Sequence, residues 1–371
     1  MKILFVVWNL YPNTAYTNHT KATVQGLSES GCKVDVLSIK PIVTNEEVCI
    51  EGQHQGHSMI ATIGGFIMDF YLLAKSIKKY DVVFCACSDL RVMKLSLKKA
   101  RRYHLPIVHE RTEFPDVFYQ DNKKGRKALS DYLRIVALFD KVFVISNPIK
   151  DYFIANGVPS EKVVIYPMVV DPGRFDGIVK KEVGYRYMAY CGNLSNSKDG
   201  VADLIEAYGR SEAKSTHKLM LIGAKPSSEE MSIYDGLIDK HNIKDRVIFR
   251  GQVNRDEMPQ LLTDADALLL SRPANRQALG GFPTKLGEYL TTGNPVLVTR
   301  VGDIDKYITD GVNGFLSEPG NNEQFAQKLD EIVGDYAKAK KIGEKGRELV
   351  FDTFNYKVQA EKVLQAIRKL K

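Results

Sequence analysis

Short apolar runs alternate with helix-length amphipathic segments along the whole chain. KILFVVWNL (2–10) is apolar and gives way to a polar loop, YPNTAYTN. The spacing then predicts a helix over Thr17 to Ser30, ended by Gly31 as a C′ glycine. Further strands are predicted at KVDVLSI (33–39), DVVFCAC (81–87), PIVHE (106–110), KVFVIS (141–146) and KVVIY (162–166). Helical segments separate them, including Gly65 to Lys79 and Leu90 to Tyr103. The pattern restarts near residue 185 with YRYMAYCGN, then the loop and helix SNSKDGVADLIEAYGRS. HKLMLIGA, RVIFRGQ, DALLLSR and PVLVTR follow as strands. Apolar strands alternating with helices imply parallel sheets covered on both faces. The fold class is α/β, with two doubly wound sheets joined near MVVDPGRFDG (168–177). Such sheets bind ligands outside the carboxyl ends of their strands. Two of them facing each other would enclose a cleft.

Composition agrees with this organisation. At about 150 residues per domain, 371 residues suggest two domains. Hydrophobic residues make up 44% and charged residues 26%, as in ordinary globular chains. MKILFVV stops at Trp8 and Asn9 without a small-residue cleavage site, so it reads as a buried strand rather than a signal core. The apolar stretch Met59 to Leu73 contains Asp69 and two glycines and falls short of the roughly 20 apolar residues that span a bilayer. Five cysteines without metal-ligand spacing read as reduced thiols, and a cytoplasmic location follows as the expectation. The net charge of +7 is uneven: residues 1–170 carry +6 and the rest +1. RVMKLSLKKARRYH (91–104) has six basic residues and no acid. It is read either as a solvated helix face or as attraction to an anionic lipid or acceptor. No recognised motif points to nucleic acid.

Three segments carry candidate chemistry. In YCGNLSNSKDGVADLIEAY (190–208) a strand ends at Gly192 and a helix begins near Asp199 or Gly200. Free N–H groups and Lys198 at that mouth would suit a diphosphate; the other reading is an ordinary turn with a surface lysine. In SRPANRQALGGFPTKLGEYLTTGNPVLVT (271–299) a long loop holds Gly280, Gly281 and Pro283 before a helix from about Thr284 to Thr292. Glycine lets backbone approach a ligand, Lys285 would meet phosphate, and Glu288 one turn deeper would accept hydrogen bonds from a ribose diol. LPIVHERTEFPD (105–116) sets His109, Glu110, Arg111 and Glu113 where a strand leaves the first sheet, as a site cluster or as structural residues.

Together these segments resemble glycosyltransferase family 4, of the GT-B fold, over nearly the whole chain. His19 precedes GCKV (31–34) as a family histidine precedes its Gly-His-x-Val turn. ISNPIKDYFIANGVPSEKVVIYPMVVDPGRF (145–175) is similar to the inter-domain stretch, and CGNLSNSKDG to the phosphate loop. FRGQVNRDEMPQLLTDADALLLS (249–271), GGFPTKLGEYLTTGNPVLV and DGVNGFLSEPGN (310–321) match later family segments in order. The chain departs at four places. Asn193 stands where the family has a phosphate-binding arginine, and Gly280 where it has the first glutamate of Glu-x7-Glu. Met168–Val169 replaces Asn-Gly in the linker, and Thr14–Ala15 the Gly-Gly after the first strand.

The resemblance implies a retaining transferase that takes a UDP- or GDP-linked sugar, with no cofactor bound and no metal required. Its domains would be 1–172 plus 356–371, because the family's last helix returns to the first domain, and 173–355. His109, Glu110 and Lys198 are expected at the reacting centre. Asn193, Lys198, Gly281, Phe282, Thr284, Lys285, Glu288 and Arg272 are expected to bind the donor, Arg272, Arg276 or Lys285 supplying the charge absent at Asn193. Thr14, His19 and Glu113 are expected on the acceptor side. The acceptor is unidentified (glycan, lipid-linked or small molecule). A role in glycan or cell-surface polysaccharide synthesis and a peripheral contact with anionic membrane complete the expectation. A nucleotide-sugar binder with lost or weak catalysis, and another GT-B enzyme such as an epimerase, are the alternatives.

Overall fold

The computed structural model describes residues 1–11, 14–39 and 77–370. The expected helix Gly65 to Lys79 and the apolar stretch Met59 to Leu73 lie outside them, apart from a short 3-10 turn at Ile77–Lys79. The chain divides into two compact units, Met1–Val169 with Asn355–Lys371, and Val170–Phe354.

The first unit holds six strands: β1 (Lys2–Val7), β2 (Lys33–Ser38), β3 (Val82–Cys85), β4 (Ile107–Arg111), β5 (Lys141–Val144) and β6 (Val163–Ile165). Their order is β2-β1-β3-β4-β5-β6, all parallel. Both faces are covered, so Ile3 to Val7 are each at most 1% exposed and the strand reads as one apolar run. Phe5 stacks on Phe84 at 4.4 Å, and Phe84 on Phe143 at 5.7 Å, tying three strands through one face. The chain ends on this unit. Helix Tyr356–Arg368 packs against helix Ala15–Glu29, where Gly26 has no room for a side chain: a Cβ there would lie 2.7 Å from Ala360 Cβ. Tyr356 Oη, 3.0 Å from Glu29 Oε1, and Lys357 Nζ, 3.0 Å from Glu29 Oε2, close the contact.

The second unit repeats the plan with β7 (Tyr187–Cys191), β8 (Lys218–Ile222), β9 (Val247–Gly251), β10 (Ala267–Leu270), β11 (Val296–Thr299) and β12 (Phe315–Ser317). The order is β12-β11-β10-β7-β8-β9, again parallel. Each sheet has one place where the order reverses: between β1 and β3, and between β7 and β10. Those crevices are where such sheets bind ligands. Among the described residues, no helix is long and apolar enough to cross a membrane.

Candidate functional site

In the second unit the reversal point gathers the loops after β7 and β10 and the helix Thr284–Thr291. Tyr289 fixes that helix to the sheet, its hydroxyl accepting from the Cys191 N–H at 2.7 Å. The chain leaves β7 through Gly192, whose φ of +156° favours glycine and whose Cα lies so close to Lys285 that a Cβ would sit 2.2 Å from Nζ. Gly223 backs it, since a Cβ at that position would lie 2.0 Å from the Gly192 carbonyl oxygen. The turn ends at Gly200, in the left-handed region, and helix Val201–Arg210 begins.

A buried charge cluster sits in this crevice. Lys285 Nζ donates to Asp199 Oδ2 at 2.6 Å and to Tyr190 Oη at 3.1 Å, and lies 4.6 Å from the centre of the Tyr190 ring. Tyr190 Oη is also 2.8 Å from Asp199 Oδ2. Arg272 Nε is 3.9 Å from Asp199 Oδ1, and Arg272 Nη1 donates to the Gly281 carbonyl at 3.4 Å. Burial alone would raise the Asp199 carboxyl, but the Lys285 ammonium, the Tyr190 hydroxyl and the Arg272 charge together outweigh it and hold the group below its usual range. Asp199 thus faces two cations, Lys285 and Arg272, beside the backbone of Gly281. Lys285 is therefore already engaged, whereas the half-buried Lys198 side chain has no ion pair or hydrogen bond among the described residues, and Asn193 is exposed. Arg276 is exposed, on a five-residue helix, Arg276–Gly280, that occupies part of the expected long loop. Phe282 is buried against Tyr307 and Phe354, at 5.3 and 5.7 Å, and anchors the loop; Thr284 opens the helix, half-buried.

One turn beyond Lys285, Glu288 points to a second cluster. Arg174 Nη1 donates to Glu288 Oε1, and Arg174 Nη2 donates to the Arg255 carbonyl at 2.7 Å. The Cys191 thiol lies alongside, 3.3 Å from Met258 Sδ, and burial reinforced by the Glu288 charge pushes it up to about 12.

In the first unit the strand splits what the sequence reads as one cluster. Successive side chains of a strand point to opposite faces. His109 turns into the core, 0% exposed, with Nδ1 2.8 Å from the Cys85 carbonyl and Nε2 2.9 Å from Tyr132 Oη. Burial, with the Arg111 charge adding to it, lowers its imidazole to about 3. Both ring nitrogens of His109, the residue expected at the reacting centre, are thus engaged inside the unit. Glu110 faces the other way and meets His19: His19 Nε2 is 2.6 Å from Glu110 Oε1, and both side chains are at most 4% exposed. Among the described residues, His19 Nδ1 and Glu110 Oε2 have no hydrogen-bond partner. Thr14 caps helix Ala15–Glu29, its Oγ1 accepting from the Thr17 N–H at 3.2 Å. Glu113 contributes its carbonyl to Arg111 Nε at 2.8 Å. Among the described residues, no group of three or more His, Cys, Asp or Glu side chains could hold a metal ion.

Sequence reasoning missed Asp199, Tyr190, Gly223 and Arg174. Asp199 directly follows Lys198 and passes for a helix-start acid; Arg174 sits in DPGRF with nothing to mark its distant partner.

Known proteins share this organisation. Residues 17–174 match Glycosyltransferase Family 4, and residues 174–349 match Glycosyl transferases group 1. An uncharacterized glycosyltransferase of Methanocaldococcus jannaschii is 24% identical over 96% of this chain and 95% of its own. The N-acetyl-alpha-D-glucosaminyl L-malate synthase of Bacillus anthracis is 29% identical over 47% of this chain and 44% of its own. Among solved structures, Anabaena HepE in complex with UDP superposes with a TM-score of 0.74 at 17% identity, over the full length of both chains. The two matches abut at residue 174 and between them cover every strand of both sheets except β1: this chain is a glycosyltransferase of family 4, built on the GT-B fold.

Proposed function

We propose that the protein transfers a sugar, with retention at the anomeric carbon, from a nucleotide-diphosphate sugar to an acceptor in glycan or cell-surface polysaccharide synthesis. The observation that carries this reading is Glu288, one turn beyond Lys285 on a helix that opens at the reversal point of the second sheet. Its carboxylate takes the ribose diol. The diphosphate lies against Lys198, the backbone at Gly281 and the N-terminus of helix Val201–Arg210, whose dipole favours an anion. Those groups stabilise the leaving diphosphate as its bond to the sugar breaks, so the chemistry asks for no metal. UDP is the first donor base to test, since HepE, of the same fold, holds it.

In the first unit, Glu110 and His19 orient the sugar or the acceptor hydroxyl, and Thr14 and Glu113 shape the loops around them. The departing phosphate takes the acceptor's proton, and no side chain is assigned as base. The basic surface of helix Leu90–Arg102, with Lys94, Lys98, Arg101 and Arg102 exposed, supports a peripheral contact with anionic membrane from the cytoplasmic side. Flotation with liposomes that contain or lack anionic lipid tests that contact, and equal behaviour on both counts against it.

A second reading, nucleotide-sugar binding with weak or lost turnover, draws on Asn193 and on the engagement of Lys285 by Asp199. Donor-sugar turnover with and without candidate acceptors separates the two. Glu288→Ala and Lys198→Ala each abolish transfer on the enzymatic reading; unchanged transfer in both overturns the site.

A further inference from the structure

The geometry points to Arg174 as the residue that positions Glu288 for ribose, and so to a donor site that demands a ribonucleotide; this rests on the reading of Glu288 given above. Arg174 belongs to a 3-10 turn, Pro172–Phe175, that is fixed at both ends. Asp171 Oδ1 accepts from the Gly173 N–H at 3.0 Å, and Phe175 is buried at 7% exposure. From this anchor the guanidinium reaches two groups at once. Nη1 donates to Glu288 Oε1, while Nη2 donates to the Arg255 carbonyl at 2.7 Å. The planar fork of arginine suits such a two-point hold, and a lysine cannot reproduce it. The side chains are 17% and 27% exposed, so the pair lies at the wall of the crevice and is open to a ligand.

The consequence for recognition lies in which oxygen is held. A carboxylate offers about four lone-pair directions. Arg174 occupies one of them, on Oε1. Among the described residues no partner is recorded for Oε2. Glu288 can therefore accept from both hydroxyls of a diol without releasing Arg174. A glutamate held by one oxygen keeps a single rotamer, so a ligand loses less by fixing it. Arg174 works through Glu288 and does not itself touch the nucleotide. The Arg255 side chain, half-buried and lowered by burial and by the Arg174 charge, adds positive charge on the same wall.

The test is a ratio of affinities, measured by calorimetry with UDP against its 2′-deoxy counterpart, and in parallel with GDP against its own. The native protein is expected to prefer the ribonucleotide by about tenfold or more, the worth of one hydrogen bond to a charged group. Glu288→Ala is expected to bring that ratio near one. Arg174→Met, which keeps the aliphatic stem, is expected to lower it severalfold, with Arg174→Lys between Arg174→Met and the native protein. Both ligands meet the same preparation, so a loss of folded protein leaves the ratio unchanged. A native ratio retained in Arg174→Met and Arg174→Lys, but lost in Glu288→Ala, overturns the role of Arg174 alone. No preference in the native protein overturns the reading of Glu288 and this inference with it.

Discussion

Lys285 Nζ lies 2.6 Å from Asp199 Oδ2, and the Asp199 side chain is 3% exposed. The lysine that would make up for the missing family arginine is thus held by an acid from the neighbouring loop. Removing one partner of a buried pair leaves an uncompensated charge and costs about 3–5 kcal/mol. Asp199→Asn is therefore expected to melt well below the native protein. It is also expected to gain more from UDP, because the freed ammonium acquires a phosphate partner. Melting curves with and without UDP check both effects. A UDP-dependent gain no larger than the native one would place Lys285 away from the phosphates.

His109 gives a pH prediction. Burial holds its imidazole at about 3 in the folded chain, against about 6.5 when unfolded. Below pH 6.5 the unfolded chain binds a proton that the folded chain refuses, so stability is lost as pH falls, by about 1.4 kcal/mol per unit. Between pH 7 and 5 the native protein should lose about 2 kcal/mol more than His109→Gln, measured by urea unfolding. Equal losses would mean that His109 takes up its proton without unfolding.

Gly223 has no room for a side chain, because a Cβ would come within 2.0 Å of the Gly192 carbonyl. Overpacking of this kind costs about 1–3 kcal/mol. Gly223→Ala is expected to displace the turn that bears Asn193 and Lys198 and to weaken UDP binding at least tenfold. Titration calorimetry reads this directly, and native affinity in a folded variant would show that the turn yields without consequence.

Gly26 makes a similar prediction for the first unit. Its Cβ would lie 2.7 Å from both Ala360 Cβ and the Tyr356 carbonyl oxygen. Gly26→Ala should gain up to about 1 kcal/mol in helix propensity but lose more to the clash. A net loss of stability by chemical denaturation is expected; a net gain would mean that the last helix can slide.

The two-sheet plan is legible because strands buried on both faces are continuous apolar runs. KVFVIS predicts β5 and DALLLSR predicts β10 to within two residues at either end. Glu288 and Lys285 are legible because they sit one turn apart on a helix with a clear start and a glycine stop. The pairing of Asp199 with Lys285, and of Arg174 with Glu288, is not, since each joins residues at least 86 positions apart through a fold that local pattern does not specify. The division within HERTE is hidden for a different reason. Adjacent ionisable residues look like one site, and only the alternation of β4 sends His109 into the core and Glu110 to His19. The helix Arg276–Gly280 escapes detection because five residues carry too little periodicity.

The most direct test of the donor site is a thermal-shift screen against UDP, GDP, ADP, TDP, CMP and a panel of their sugars, run on the native protein and on Glu288→Ala. A ligand at 100 times its dissociation constant stabilises the folded state by about 2.7 kcal/mol. The prediction is a clear rise in melting temperature with one nucleoside diphosphate and its sugars, lost in Glu288→Ala. No rise with any of them at millimolar ligand, or the same rise in the variant, would contradict a donor site built around Glu288.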